Sequence, residues 1–327
     1  MKKFNEIFID KTKYGEKIQT SEYEKQGKHI IVDQGQAEIA GYTNREEGLF
    51  NEVPVIIFGD HTRLIKYIDE PFFLGADGVK VLRSKEKNAN YKYLYYALKS
   101  AKIPNTGYNR HFKWLKDVEI NYPDSVKQEK IVDILDRVSD VIEKRKAELS
   151  YLVTLIKARF VEMFGDPIIN SKGLETKELN EVLVLKAGDF TAASDISVEP
   201  TEINIYPCYG GNGIRGYVAE YNQEGEYSLV GRQGALSGNV QYATGKFKNT
   251  EHALLVKPII RMNSIWLNQL LLNLDLKRYQ TGAAQPGLSV KNLQDIQIIM
   301  VPIDEQRQFA AFVNEIDKSK LQKFSAA

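Results

Sequence analysis

The sequence predicts an α+β chain built as a tandem pseudo-repeat of two mixed α/β domains, each followed by a helix. Three observations predict it. Short motifs recur in the same order at a nearly constant offset; a long helical pattern occupies the middle of the chain; and a basic, aromatic-rich stretch falls at the same place in each copy. A repeat has to be found first, because missing it misassigns every element after it.

Gly35–Tyr42 (GQAEIAGY) aligns with Gly210–Tyr217 (GGNGIRGY) at an offset of 175, keeping Gly35, Ile39, Gly41 and Tyr42. Tyr93-Leu94 matches Trp266-Leu267, and Thr106-Gly107 matches Thr281-Gly282. Leu115-x-Asp117-Val118-x-Ile120 matches Leu293-x-Asp295-Ile296-x-Ile298, and each is followed by a proline (Pro123, Pro302) and a glutamine (Gln128, Gln306). The order and the slow drift of the offset argue for duplication. The expected boundaries are residues 1–123, a helix over 124–165, residues 166–302 and a helix over 303–327.

Within each copy the front reads as short strands. Val53–Phe58 and Val79–Leu82 are apolar or β-branched runs bounded by Gly, Asn and Asp, with counterparts at Ser228–Val230 and Ala253–Val256. A short helix follows at Tyr91–Ser100 and at Ser264–Leu274. The tyrosines at helical spacing there read mostly as core.

The helix after the first domain carries apolar residues at alternating 4-3 spacing: Ile131, Leu135, Val138, Ile142, Leu149, Leu152, Ile156 and Met163, with Arg145 and Arg159 in the two remaining seam positions. Asp124 or Ser125 can cap its start, Gly165 its end, and Pro167 prevents continuation. Residues 131–163 would make ~50 Å of helix. So narrow a seam wants a second helix against it. The second copy begins the same pattern with Phe309, Val313 and Ile316, then places Lys320 where Ile142 would fall. Its helix is expected to be about half as long, leaving Leu149, Leu152 and Ile156 for another copy of the chain or a partner.

The chain has 327 residues, 44 basic against 43 acidic side chains, and 43% apolar residues. This is the composition of an ordered chain, and its charge balance argues against indiscriminate coating of polyanions. Cys208 is the one cysteine, which excludes an internal disulfide framework and a multi-cysteine zinc site. The N-terminus has lysines with no apolar run behind them, and no stretch approaches the ~20 apolar residues of a membrane span. A cytoplasmic location is expected. Gly211-x-Gly213-x-x-Gly216 fits a dinucleotide fingerprint formally, but continues into YVAEYN and reads better as a tight turn before a strand. No Walker motif, paired metal-ligand spacing or nucleophilic triad is present, so the chain reads as non-catalytic, with no metal or cofactor of its own.

Charge is segregated. Residues 78–116 hold ten basic groups against Glu86 alone, and residues 252–291 hold five against Asp275. Base edges in the major groove are read by Arg, Asn and Gln, while Lys neutralises phosphates. Asn109, Arg110, His111 and Lys113 offer this mixture in the first copy, together with Arg63. In the second, Arg232, Gln233, Asn239 and Gln285 do so, together with Arg215, Lys246, Lys248, Lys277, Arg278 and Lys291. A self-contained restriction or methylation enzyme and a coiled-coil scaffold that ignores DNA are the competing classes. Missing catalytic motifs weigh against the first, and the repeated basic stretch against the second.

These features together resemble the specificity (S) subunits of Type I restriction–modification systems. The residues that carry the resemblance are Tyr279–Gln306 (YQTGAAQPGLSVKNLQDIQIIMVPIDEQ), Thr106–Gln128 in the first copy, MFGDP at Met163–Pro167, Gly210–Tyr217, Gly231–Val240 and Thr250–Val256. The first copy departs by lacking the Ala-Gln-Pro-Gly run. The resemblance implies two target-recognition domains, each reading half of a split, asymmetric double-stranded DNA target. It implies that the two helices pair as an antiparallel coiled coil, with Ile131, Leu135, Val138, Ile142, Leu149, Leu152, Ile156, Phe309, Val313 and Ile316 at the interface. It also implies methyltransferase (M) subunits that use S-adenosylmethionine, and restriction/translocase (R) subunits that use ATP and Mg.

Overall fold

The computed structural model describes residues 1–75, 78–282 and 286–325, which form two compact units, Met1–Lys144 and Arg145–Ala327. Each is described separately.

In the first unit, β1 (Lys2–Lys3) leads into α1 (Phe4–Ile7) and β2 (Phe8–Asp10). Then come β3 (His29–Val32), β4 (Gly41–Thr43), β5 (Val55–Gly59), β6 (Ile65–Ile68), β7 (Phe72–Leu74) and β8 (Val79–Ser84). After α2 (Tyr91–Lys99) and α3 (Phe112–Leu115), β9 (Glu119–Ile120) returns to pair antiparallel with β1. The main sheet has the order β2-β8-β5-β6, and a smaller sheet the order β4-β3-β7. Strand β5 is buried along its whole length, as its unbroken VIIF run requires. Its side chains alternate: Ile56 and Phe58 pack with Tyr93, Leu94 and Leu98 of α2, whereas Val55 and Ile57 pack with Val32, Phe72 and Leu74 of the smaller sheet. The main sheet is thus covered by a helix on one face and a second sheet on the other. Asn90 caps α2 by accepting from the Tyr93 amide at 2.9 Å.

The second unit repeats this opening. Strand β10 (Thr176–Glu178), α5 (Leu179–Val182) and β11 (Leu183–Ala187) precede β12 (Tyr206–Gly210), β13 (Gly213–Val218), β14 (Gln223–Gly231), β15 (Val240–Asn249) and β16 (Ala253–Pro258). Helices α6 (Ser264–Asn273) and α7 (Val290–Leu293) follow, and β17 (Gln297–Ile299) pairs antiparallel with β10 as β9 does with β1. The six-stranded sheet runs β11-β16-β14-β15-β12-β13. Val230, Leu254 and Val256 pack on Trp266, Leu267 and Leu270 of α6. Asn263 caps α6 as Asn90 caps α2, accepting from the Ile265 and Trp266 amides at 3.0 Å. The four expected strands and two short helices are present. Gly211 of the Gly211–Gly216 motif lies in the two-residue turn of the β12–β13 hairpin, and Gly213 and Gly216 lie in strand β13 that follows it.

Helix α4 (Ser125–Phe164) is unbroken over 40 residues, ~60 Å. Asp124 accepts from the Lys127 amide at 3.0 Å, and Gly165 ends the helix at φ 77° with its amide on the Val161 carbonyl. The division between the units falls inside it. In the first unit Ile131 and Leu135 are half-buried, while Val138 and Ile142 are 49% exposed.

In the second unit the buried face differs from the expected seam. Ile156, Phe160 and Phe164, spaced by four, enter the core with Phe309 and Val313 of α8 (Ile303–Ser325). Phe309 meets Phe160 and Phe164 edge-on at 5.4 and 5.7 Å, and Ile156 shares a cleft with Val313 and Asp317, so these segments run antiparallel. Ile156 therefore has a partner within its own unit, contrary to expectation. Leu149, Leu152 and Ile316 are half-buried, and the Arg159 guanidinium lies 5.9 Å from the Phe312 ring centre. No helix among the described residues is long and apolar enough to cross a membrane.

Candidate nucleic-acid interface

The same hydrogen-bonded anchor is built twice, where β5 turns into β6 and where β14 turns into β15. In the first unit the Gly59 amide donates to the Leu64 carbonyl (2.8 Å), and the Arg63 amide to the Gly59 carbonyl (2.7 Å). In the second, the Gly231 amide donates to the Asn239 carbonyl (2.9 Å), and the Gly238 amide to the Gly231 carbonyl (2.7 Å). The next residue is clamped from both sides. Asp60 donates its amide to the Gly78 carbonyl (2.7 Å) and accepts from the His111 amide (2.7 Å); Arg232 donates to the His252 carbonyl (3.1 Å) and accepts from the Leu288 amide (2.8 Å). Each hairpin loop is thereby tied to the loop that precedes α3 or α7.

The anchor also fixes backbone shape. Arg63 has φ 61° and its counterpart Gly238 φ 84°, both left-handed. A Cβ on Gly238 would lie 2.7 Å from the Lys277 amide nitrogen, so this loop sits directly against the Lys277 segment. Four residues separate Gly59 from Leu64, and seven separate Gly231 from Asn239. The anchor is the same in both copies, and the loop it carries differs in length and chemistry.

Around the second loop, several of the expected residues converge. Gln233 is exposed, and its Oε1 accepts from His252 Nδ1 at 2.7 Å. Asn239 Nδ2 donates to Asn212 Oδ1 (2.7 Å) at the β12–β13 turn, and the Arg215 side chain lies over Gly210 of that hairpin. Arg232 is half-buried at the clamp. The segment bearing Lys277 and Arg278 closes on the loop through Gln280, whose Nε2 donates to the Ser237 carbonyl. Both basic residues are exposed, as is Lys291 on α7.

Lys246 and Lys248 do not belong to this group. Lys246 lies 4.0 Å from Glu224 and over the Tyr221 ring, and the Tyr221 hydroxyl and the Glu224 carboxylate hold its ammonium above its ordinary range. Lys248 faces Asp189 at 3.8 Å. Gln285 lies outside the described residues.

In the first unit Asn109 and Arg110 are exposed, Lys113 sits 4.1 Å above the Trp114 ring, and Arg63 reaches the Ile103 carbonyl at 3.4 Å. His111 is not a surface contact. It is fully buried, with Nδ1 donating to the Asp60 carbonyl at 3.0 Å, and its role is to hold the anchor. The basic stretch is also less free than its composition implies, because Lys80, Arg83 and Lys92 pair with Asp10, Glu52 and Asp136 at 3.3, 3.3 and 2.7 Å.

Three residues outside the expected set join the site. His61 follows Asp60 and stacks on Tyr108 at 4.8 Å with planes 11° apart, and Tyr108 is 89% exposed. His252 holds Gln233. Aligning Gly59 with Gly231 in the sequence would have brought His61 opposite Gln233, and that alignment was the available signal. Among the described residues no group of three or more His, Cys, Asp or Glu is arranged to hold a metal ion.

Comparison with known proteins is consistent with this architecture. The family model described as the Type I restriction modification DNA specificity domain matches residues 1–151 and 171–324. The Type I restriction enzyme EcoprrI specificity subunit of Escherichia coli is 38% identical over 194 residues, covering 58% of this chain and 48% of that protein. The EcoR124I/EcoR124II specificity subunit of Escherichia coli is 27% identical over 167 residues, covering 46% and 40%. The chain thus spans about half the length of these curated relatives at most. A crystal structure of a Type I restriction-modification S subunit from M. genitalium shares the fold, with TM-score 0.59 and 20% identity over 99% of this chain and 91% of that one.

Proposed function

The chain belongs to the Type I restriction modification DNA specificity family, and from that premise we propose that it is the sequence-reading subunit of a Type I restriction–modification complex. Each unit reads one half of a bipartite double-stranded DNA target, and because the two hairpin loops differ, the two halves differ. The observation that carries this reading is the twice-built anchor, which presents a different set of polar side chains at the same place on two copies of one scaffold. Rigid elements that position variable loops are the usual arrangement for recognition.

The chain supplies recognition and no chemistry. Methyl transfer from S-adenosylmethionine belongs to methyltransferase subunits, and ATP- and Mg-dependent translocation and cleavage to restriction subunits. The exposed α4 residues Ile134, Val138, Val141 and Ile142 offer these partners, or a second copy of the chain, an apolar face. The complex works in the cytoplasm.

The test is a footprint on duplex DNA with the methyltransferase subunits added. Two protected blocks with an unread gap are expected, and exchange of residues 1–123 for those of a relative should change one block only. Changes in both blocks, or methyl transfer by this chain alone, would refute the proposal.

A further inference from the structure

We propose that His61 and Gln233 are the equivalent specificity-determining positions of the two units, each braced by a side chain from a second loop, Tyr108 by stacking and His252 by hydrogen bonding. This rests on the DNA-reading function proposed above. The equivalence comes from the backbone alone. Both residues follow the clamped residue of the anchor, Asp60 or Arg232, whose amide and carbonyl bonds are the same in the two units. The two side chains therefore leave the scaffold at the same point.

Their surroundings give each a defined outward chemistry. Gln233 is exposed, while its backbone forms a β-bridge with Gly287. Its Oε1 is held by His252 Nδ1 at 2.7 Å, and the other imidazole nitrogen of His252 lies 3.1 Å from Glu251 Oε1. The Gln233 Nε2 hydrogens keep no protein partner among the described residues. An amide set in this way offers donors to an acceptor edge, which in the major groove is N7 of a purine, O6 of guanine or O4 of thymine.

His61 is fixed differently. Its amide donates to Gln34 Oε1 at 3.1 Å, and the next residue, Thr62, donates through Oγ1 to the Gln34 carbonyl at 2.8 Å. Its Nδ1 is buried, so Nε2 is the ring nitrogen left to meet a base. Tyr108 lies flat against the ring and is otherwise almost wholly exposed, so the outer face of the stacked pair is open to a ligand. Two loops thus set one planar group in each unit: a hydrogen-bonded amide in one and a stacked imidazole in the other. Pre-ordering removes the rotamer entropy that a free side chain would lose on binding.

The test selects bound sequences from a random duplex library, using the full chain assembled with the methyltransferase subunits of its system. Gln233→Ala should flatten base preference roughly tenfold at one or two adjacent positions of one half-site, and His61→Ala should do so in the other half-site only. His252→Ala should reproduce the Gln233→Ala profile, with the double variant no worse than either. Tyr108→Ala should follow His61→Ala, while Tyr108→Phe, which keeps the stack, should keep the profile. Assembly with the methyltransferase reports folding, and His61→Gln replaces His61→Ala if the latter does not assemble. Unchanged profiles for the Gln233 and His61 variants, or changes in both half-sites from one substitution, would overturn the assignment while leaving DNA reading intact. Failure of the unaltered chain to enrich any sequence would overturn DNA reading, and this assignment with it.

Discussion

His111 donates to the Asp60 carbonyl twice, from its backbone amide at 2.7 Å and from Nδ1 at 3.0 Å. The Asp60 carboxylate in turn accepts from the Phe112 amide at 2.7 Å, and both residues are buried. One aspartate therefore fastens the hairpin loop to the start of α3. Asp60→Ala leaves the Phe112 amide without its acceptor, at a cost of ~1–3 kcal/mol. Asp60→Asn keeps an oxygen there and should cost less. Amide exchange over residues 106–116 checks this: it should rise strongly for the alanine variant, weakly for the asparagine variant, and remain unchanged in the second unit for both.

The repeated glutamines should not be energetically equal. Gln306 is buried with both ends of its amide used, Oε1 accepting from the Asn263 amide at 2.8 Å and Nε2 donating to the Val301 carbonyl at 2.9 Å. It thereby ties the capping residue of α6 to the first turn of α8. Gln128 donates to the Pro123 carbonyl at 2.8 Å and has the Tyr122 hydroxyl as its other polar neighbour. Gln306→Ala strands two backbone groups and should destabilise the second unit by at least ~2 kcal/mol, against ~1 kcal/mol for Gln128→Ala in the first. Denaturant unfolding followed by a probe in each unit separates the two effects; equal destabilisation would contradict the assigned bonding.

How much of this was legible in the sequence follows from what each pattern reports. The repeat, the β5 and β8 strands, α2, α6 and the caps of α4 were readable, because apolar runs and capping residues act locally. The buried face of α4 was not. The 4-3 spacing selected Ile156 and Met163, yet Phe160 and Phe164 fill the core, because they pack on Phe309 and Trp266 of one globular unit and not along a uniform helical seam. The site was half-legible. Composition found the basic segments, but could not reveal that Asp10 and Asp136, distant in sequence, hold Lys80 and Lys92, or that His111 points inward. The opening of the repeat was also missed, although Asn5-Glu6 and Asn180-Glu181 occupy the same turn, where each glutamate accepts an amide at the start of its helix.

Acid should loosen the packing of α2 on α4 in the first unit. Lys92 Nζ and the Tyr96 hydroxyl donate to Asp136 at 2.7 and 2.6 Å, and these bonds hold its carboxyl below the ordinary value of 3.8. A lowered folded-state pKa gives stability that is complete above the unfolded value and disappears as pH falls through the folded one. The contribution is therefore full at neutral pH and lost below pH 3.8. With both charged groups partly exposed, it should not exceed ~1 kcal/mol. The stability difference between the unaltered chain and Asp136→Asn, measured from pH 7 downward, should shrink towards zero over that acid range. A difference that persisted at low pH would point to packing in place of charge.

Salt dependence distinguishes lysines that meet phosphate from those that only look available. Lys277 and Lys291 are exposed and make no ion pair among the described residues, and Lys277 belongs to the segment that closes on the Arg232–Gly238 loop. Each phosphate neutralised by a lysine releases condensed counterions and adds ~0.9 to the steepness of log K against log salt. Lys277→Ala and Lys291→Ala should each weaken DNA binding by the assembled complex at every sequence alike, and each should reduce the slope by about one unit. Lys80→Ala is the control: it belongs to the most basic segment of the chain, but its ammonium is 3.3 Å from Asp10 and over the Phe112 ring. It should leave the slope unchanged. If Lys80→Ala lowered the slope as much as Lys277→Ala, local composition and not the geometry of the two loops would govern where the DNA lies.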